Sequence, residues 1–338
     1  MRYLQFLLIL AIFVSCSSKK NAEQCILPSP IEVTGSPLQH SIQSQLPFSI
    51  DLSEKGFVVM NSFSRNEIVC VYDTINAELI MSYGRLGKGP NEFISPVRAS
   101  FSKLAQTLDV YDVNANTYTK LRIQDSIYPL YKYNASKLNM AISQMLAISD
   151  NLFVIMTYTP QKLLLVDSVG NVKGETQLKP LLDIPDAFYL QGAIAYNPNH
   201  KVLCFTASEF GYIASYKIEP NGKIRFLWEK FVSKPAYKVV NNKIIWDENH
   251  NLAGFLGEAR FKNDKILVLY QGRKPAETIG RRANSVPNNL VVFNIKGDVL
   301  RFYKLAPAVF QFTVSQTNNE LFGISMDPEF RINRFYLP

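Results

Sequence analysis

The sequence predicts an all-β protein, a six-bladed β-propeller, on three observations. A strand-turn-strand unit recurs along the 338 residues, helical periodicity is scarce, and the composition suits a large core. Hydrophobic residues make up 47% and charged residues 19%, with 22 Phe and 17 Tyr, so the chain has enough apolar surface to fold rather than stay disordered.

Taken in order, residues 1–15 carry an address. Arg2 supplies a positive end, Leu4 to Val14 are almost continuously apolar, and Ser15 precedes Cys16. A run this short falls below the roughly 20 residues that cross a bilayer, so it predicts a signal peptide. The stretch Phe13 to Cys16 resembles the lipobox of bacterial lipoproteins, in which a peptidase cuts just before a diacylated thiol. The resemblance implies lipidation at Cys16, a membrane as partner through that lipid and, with Ser17 next, the outer membrane of the cell envelope. Residues 16–37 are polar and Pro-rich and predict a tether, with residues 38–338 forming the propeller.

The repeat follows. Its core is an apolar strand ending near Asp, Asn or Lys, then a turn, and the copies centre on Ile68–Asp73, Thr107–Asp112, Leu163–Asp167, Tyr212–Lys217, Leu290–Asn294 and Arg331–Phe335. Gly, Asn, Asp and Pro in the turns reverse a chain at little conformational cost. Another apolar strand precedes each copy, from Gly56 to Met60 in the first to Glu320 to Ser325 in the last, and a more polar one follows each complete copy. A meander of at least three antiparallel strands repeated at this spacing is a propeller blade. Asp73, Asp112 and Asp167 are expected to share one place in the blade and to cap its turn. Helical patterning is confined to Leu138–Ile148 and Pro180–Tyr189, which read as excursions between blades. The sixth copy stops at Pro338, so the apolar segment Ile42–Leu52 is expected to pair with the C-terminal blade and close the ring.

Between the first two copies lies Gly84-Arg-Leu-Gly-Lys-Gly-Pro-Asn-Glu-Phe93. It resembles the G-x-x-G-x-G-P-x-E-F signature of TolB-like six-bladed propeller lipoproteins, with Asn91 where the common form has Gly. That resemblance covers about residues 40–338 with the blades and implies a lipid-anchored propeller with no established reaction. Physically, Gly84, Gly87, Gly89 and Pro90 make a tight connection, Glu92 is placed to accept backbone donors, and Phe93 to plug the gap between blades. A phosphate-binding loop is excluded because Gly87-Lys88 is followed by Gly89 and Ser82 stands where Gly is required.

The formal net charge is +8, but the basic residues are scattered and form no stripe interleaved with aromatics, which excludes a nucleic-acid partner. Cys25, Cys70 and Cys204 show no CxxC spacing, and His40, His200 and His250 show no metal-ligand spacing, so no cofactor is expected. No G-x-S-x-G elbow is present. The least repeat-like stretch, Gln271–Asn289, holds Arg273, Lys274, Arg281 and Arg282 against Glu277, and is a candidate site for an anionic ligand such as an acidic glycan. The reading is a monomeric, non-catalytic envelope propeller that binds protein or saccharide. Its alternative is a metal-dependent hydrolase or lactonase in the propeller channel, drawing on Glu209, Asp247, Glu248, Asn249, Glu258 and Asp264.

Overall fold

The computed structural model describes residues 23–43, 46–158, 161–178, 191–241, 243–247, 249–274, 277, 286–326 and 328–338. Six antiparallel sheets succeed one another along the chain as the blades of a propeller. Blade 1 is Ser49–Leu52, Phe57–Met60, Asn66–Tyr72 and Leu79–Leu86, and blade 2 is Pro96–Ser102, Thr107–Asp112, Thr117–Ile123 and Ile127–Asn134. Blade 3 runs Ile142–Ser149, Leu152–Thr157, Lys162–Asp167 and Val172–Gln177, and blade 4 Gly192–Asn197, Val202–Ala207, Tyr212–Ile218 and Ile224–Phe231. Blade 5 is Phe255–Lys262, Lys265–Tyr270, Asn289–Asn294 and Val299–Ala306. Blade 6 takes Gln311–Val314, Glu320–Met326 and Phe330–Tyr336 from the end of the chain and Ser36–Ser41 from its beginning.

The core is divided among the gaps between successive blades. Phe57 and Val59 of blade 1 pack toward blade 6, whereas Val58 and Met60 pack toward blade 2. Both faces of a blade's middle strands are therefore buried, which is why those strands read as unbroken apolar runs rather than as an in-out alternation. Cys70 and Cys204 lie on such strands as buried thiols. Burial pushes the Cys70 thiol up to about 11, as expected of a small hydrophobe rather than a nucleophile.

The ring closes by an N-terminal strand on the C-terminal blade, with Ser36 opposite Arg334 and Ser41 opposite Arg331. The closing strand is Ser36–Ser41 and not the expected Ile42–Leu52, because Ser49–Leu52 is taken as the first strand of blade 1. The segment expected as tether is, from Glu23 on, laid against the sheets. Glu23–Gln24 pairs in parallel with the last strand of blade 4, and Ile31–Thr34 with the last strand of blade 5. Val33 and Leu38 sink their side chains into the cores beside them, so this stretch is held by burial as well as by hydrogen bonds. Polar composition concealed it, since an outermost strand buries only alternate residues.

Two further expectations are corrected. Leu138–Ile148 is not helical: a 3-10 turn at Ala135–Leu138 leads directly into the strand Ile142–Ser149. Pro180–Tyr189 lies outside the described residues. Asp73 and Asp167 do hold the turn between third and fourth strands, accepting from Ile75 and Asn76, and from Val169 and Asn171. Asp112 also caps the turn after it, accepting from the Ala115 amide at 3.1 Å, but that turn joins second and third strands, because blade 2 begins at Pro96 and the repeat read there was one strand out of phase.

Candidate functional site

The first strands of the blades contact one another around the axis, and their side chains decide what the channel holds. At the end where those strands begin, a cavity of about 610 Å³ opens between them. Its wall is mixed: Phe48, Tyr158 and Phe255 supply aromatic surface, and Gln144, Gln191 and Gln311 supply amides. Gln144 is fixed, donating to the Gly192 carbonyl at 3.0 Å and accepting from the Ile194 amide at 2.9 Å.

The floor of the cavity is a buried ionic quartet. Arg98 grips Asp51 bidentately, through Nε at 2.6 Å and one terminal nitrogen at 2.9 Å, and its other terminal nitrogen meets Glu258. Arg260 approaches Asp51 at 3.2 Å and Glu258 at 3.4 Å, and donates at 3.0 Å to each of the carbonyls of Phe312 and Ile50. Burial alone would raise the Asp51 carboxyl, but the two guanidiniums outweigh it and hold it below the usual carboxylate range. Burial and the neighbouring Arg98 lower Arg260, whereas Asp51 and Glu258 outweigh burial and raise Arg98. Two cations and two anions cancel, so the floor presents no net charge to the cavity. The backbone carbonyls take up donors that the carboxylates leave over.

Connections between strands differ sharply between the two ends. Among the described residues, the cavity end carries 87–95, 232–241 with 243–247 and 249–254, and 271–274 with 286–288, the second group including the hairpin Tyr237–Val240 and Lys243–Trp246. At the other end tight turns such as 53–56, 168–171 and 295–298 suffice. Long connections gathered around one opening are where propellers place recognition, because loops vary without disturbing the sheets.

The glycine motif belongs to this end as a joint between blades 1 and 2. Glu92 and Phe93 add a short parallel strand to the last strand of blade 1. Glu92 accepts from the Gly89 amide and from Arg85 Nε, both at 2.6 Å, and Phe93 is buried in the core cluster that joins blade 1, with Ile68, to blade 2, with Leu121. A Cβ on Gly87 or on Gly89 would meet the Glu92 carboxylate, which explains both glycines. Pro90 borders small clefts beside this joint. The amides that follow, at Ile94 and Ser95, are held by Asp112 at 2.6 and 2.9 Å.

Of the four basic residues of the blade 5 connection, Arg273 and Lys274 are among the described residues. Arg273 donates to Asn288 at 3.2 Å, the backbone amide of Lys274 meets Glu277 at 3.2 Å, and Arg281 and Arg282 lie outside the described residues, as does Cys16. Of the carboxylates considered as metal ligands, Glu258 alone among the described ones lines the cavity, where both arginines occupy it. Asp247 hydrogen-bonds His250 on an exposed loop, and Asp264 falls in a turn at the opposite end. Among the described residues no group of three or more His, Cys, Asp or Glu side chains is placed to hold a metal ion. Asp51, Arg98 and Arg260 were not singled out from sequence. Their signal was a charge inside a strand, as in Ile50-Asp51-Leu52, Val97-Arg98-Ala99 and Ala259-Arg260-Phe261.

Comparison with known proteins places the fold. A family model described as TolB-like 6-blade propeller-like matches residues 33–317. A putative exported protein from Bacteroides fragilis is similar in structure at a TM-score of 0.61 and 12% identity, covering 93% of this chain and 98% of that one. A member of the duf4221 family from Bacteroides vulgatus gives 0.51 at 11% identity over 94% and 99% of the chains. The β-propeller domain of Cps50 (Swd1) from Myceliophteria thermophila gives 0.50 at 11% over 90% and 100%. No curated protein matches the chain.

Proposed function

The chain belongs to the TolB-like family of six-bladed propellers, and from that premise we propose that it is a non-catalytic binding protein of the bacterial cell envelope. It is held at the outer membrane by lipid on Cys16 and receives its ligand in the axial cavity. The observation that carries this reading is the cavity of about 610 Å³ whose floor is sealed by an internally neutral quartet and whose mouth is surrounded by the long connections. Both arginines are already satisfied by carboxylates and carbonyls, so the cavity offers amides and aromatic faces instead of a free charge. That lining suits a neutral polar segment, a loop of a partner protein or a saccharide unit, by hydrogen bonding and stacking.

Two measurements test it. Metabolic labelling with radioactive palmitate is expected to mark the wild-type chain and not Cys16→Ala; equal labelling would refute the anchor. For the cavity, Ser143→Trp places an indole in the wall without touching the quartet. The wild-type chain captured from native membranes is expected to bring a ligand with it that Ser143→Trp fails to retain. An identical co-purifying set for both would remove the cavity from the function.

A further inference from the structure

The connection from blade 4 to blade 5 carries a hairpin that belongs to no blade, Tyr237–Val240 paired with Lys243–Trp246. Side chains alternate across such a ribbon, so its two faces have separate fates. One face is fastened to blade 4. Trp246 lies 5.8 Å from the Tyr237 ring and 6.1 Å from the ring of Phe210, and Asn251 accepts from the Ala236 amide at 2.6 Å at the hairpin's foot. The other face is bare: Val240 is 46% exposed and its diagonal neighbour Ile245 54%, with Lys238 exposed opposite Ile245 in the register.

Charge and chain length say what covers that face. Residues 234–246 contain Lys234, Lys238 and Lys243 and no acid, so an apolar patch is set among cations, the pattern that suits an anionic lipid surface. The lipid end of the chain arrives at the same place. Gln24 pairs with Phe231, which ends the last strand of blade 4, and the Cys25 amide donates to the Phe231 carbonyl at 2.7 Å. Phe231 lies 6.3 Å from Phe210, the ring on which Trp246 rests. Ile26, 90% exposed, follows directly. From Cys16 to Glu23 the chain spans at most about 25 Å when fully extended, so a lipid on Cys16 keeps the bilayer surface within reach of the hairpin.

We infer that the outer face of this hairpin lies on the membrane, with Val240 and Ile245 entering the headgroup boundary of an anionic bilayer and Lys234 and Lys238 meeting its phosphates. The inference rests on the Cys16 anchor proposed above and adds the orientation that the anchor imposes. Blades 1 and 2 stand across the six-bladed ring from blades 4 and 5, so contact at this corner leaves the cavity mouth open on the far side.

The experiment uses the full lipidated chain in vesicles of phosphatidylethanolamine mixed equally with phosphatidylglycerol, and in vesicles of phosphatidylcholine, each doped with spin-labelled lipid. An environment-sensitive fluorophore is attached through Val240→Cys or through Leu104→Cys, in a Cys25→Ser background because Cys70 and Cys204 are buried. Leu104 is a fully exposed residue in a turn at the opposite end of the ring. In the anionic vesicles the probe at position 240 is expected to be quenched about twofold or more and the probe at position 104 to stay unquenched. Lys234→Glu with Lys238→Glu should return the probe at position 240 to its signal in phosphatidylcholine. Equal quenching at the two positions, or quenching indifferent to the two charge reversals, overturns the proposal while palmitate labelling of Cys16 still supports the anchor. Loss of that labelling refutes the anchor and this orientation together.

Discussion

At Gly84 the backbone turns into a positive φ of +79°, and a Cβ there would come within 2.8 Å of the Phe93 ring. Both facts require glycine, the first because left-handed backbone strains an L side chain. The motif is therefore understood as a socket for Phe93. Phe93→Ala is expected to lower stability by about 3–5 kcal/mol in urea denaturation, in keeping with loss of a buried aromatic. Asp51 makes a prediction of the opposite kind, set by pH. Its carboxyl is held below its unfolded value, so the stability it contributes is fully present above about pH 4 and is lost as pH falls through the lowered folded value. Thermal midpoints measured from pH 7 down to pH 2 should show the advantage of wild type over Asp51→Asn shrinking at the acid end. A constant gap would contradict the assignment. Asp51 itself escaped notice in the sequence because one charge between Ile50 and Leu52 resembles a strand end as much as a buried ion.

Elements were legible where both faces of a strand are buried. Phe57–Met60, Val202–Ala207 and Lys265–Tyr270 announced themselves as apolar runs bounded by turn residues. Strands with one wet face did not. Ser36–Ser41 buries Leu38 and shows its remaining side chains to solvent, and Ile31–Thr34 buries Val33 alone. Their pattern is that of a polar linker, and the partner that makes them strands lies hundreds of residues away, at Phe330–Tyr336 and Val299–Ala306. In blade 2 the second strand ends Val110-Tyr111-Asp112, as the third strand of blade 1 ends before Asp73 with Val71-Tyr72, so Thr107–Asp112 reads as a third strand. The closing strand has a measurable consequence. A chain beginning at Ile42 leaves the edge of Phe330–Tyr336 unpaired and uncovers Ile332, and is expected to aggregate on gel filtration and to melt well below the full chain.

Across the whole molecule, the quartet ties together the blades that flank the closure. Arg98 belongs to blade 2, Asp51 to blade 1 and Glu258 with Arg260 to blade 5, while the Phe312 carbonyl brings in blade 6. Both arginine side chains are 9% exposed, so removing a partner leaves a charge in a poorly hydrated place. Arg98→Met is expected to cost about 3–5 kcal/mol, whereas replacing all four members by apolar residues of similar volume should recover most of that loss. Equilibrium unfolding of the single and quadruple variants distinguishes an ionic clamp from simple packing.

Sequence alone determined the fold class, the number of blades, the family and the way the ring closes, because each rests on local periodicity or on a contiguous motif. Only the tertiary structure decided which N-terminal segment closes the ring and that Asp51, Arg98, Glu258 and Arg260 meet at the cavity floor. Those groupings depend on distances between residues far apart in the chain, and a period along the sequence records which face a side chain takes but not what it finds there.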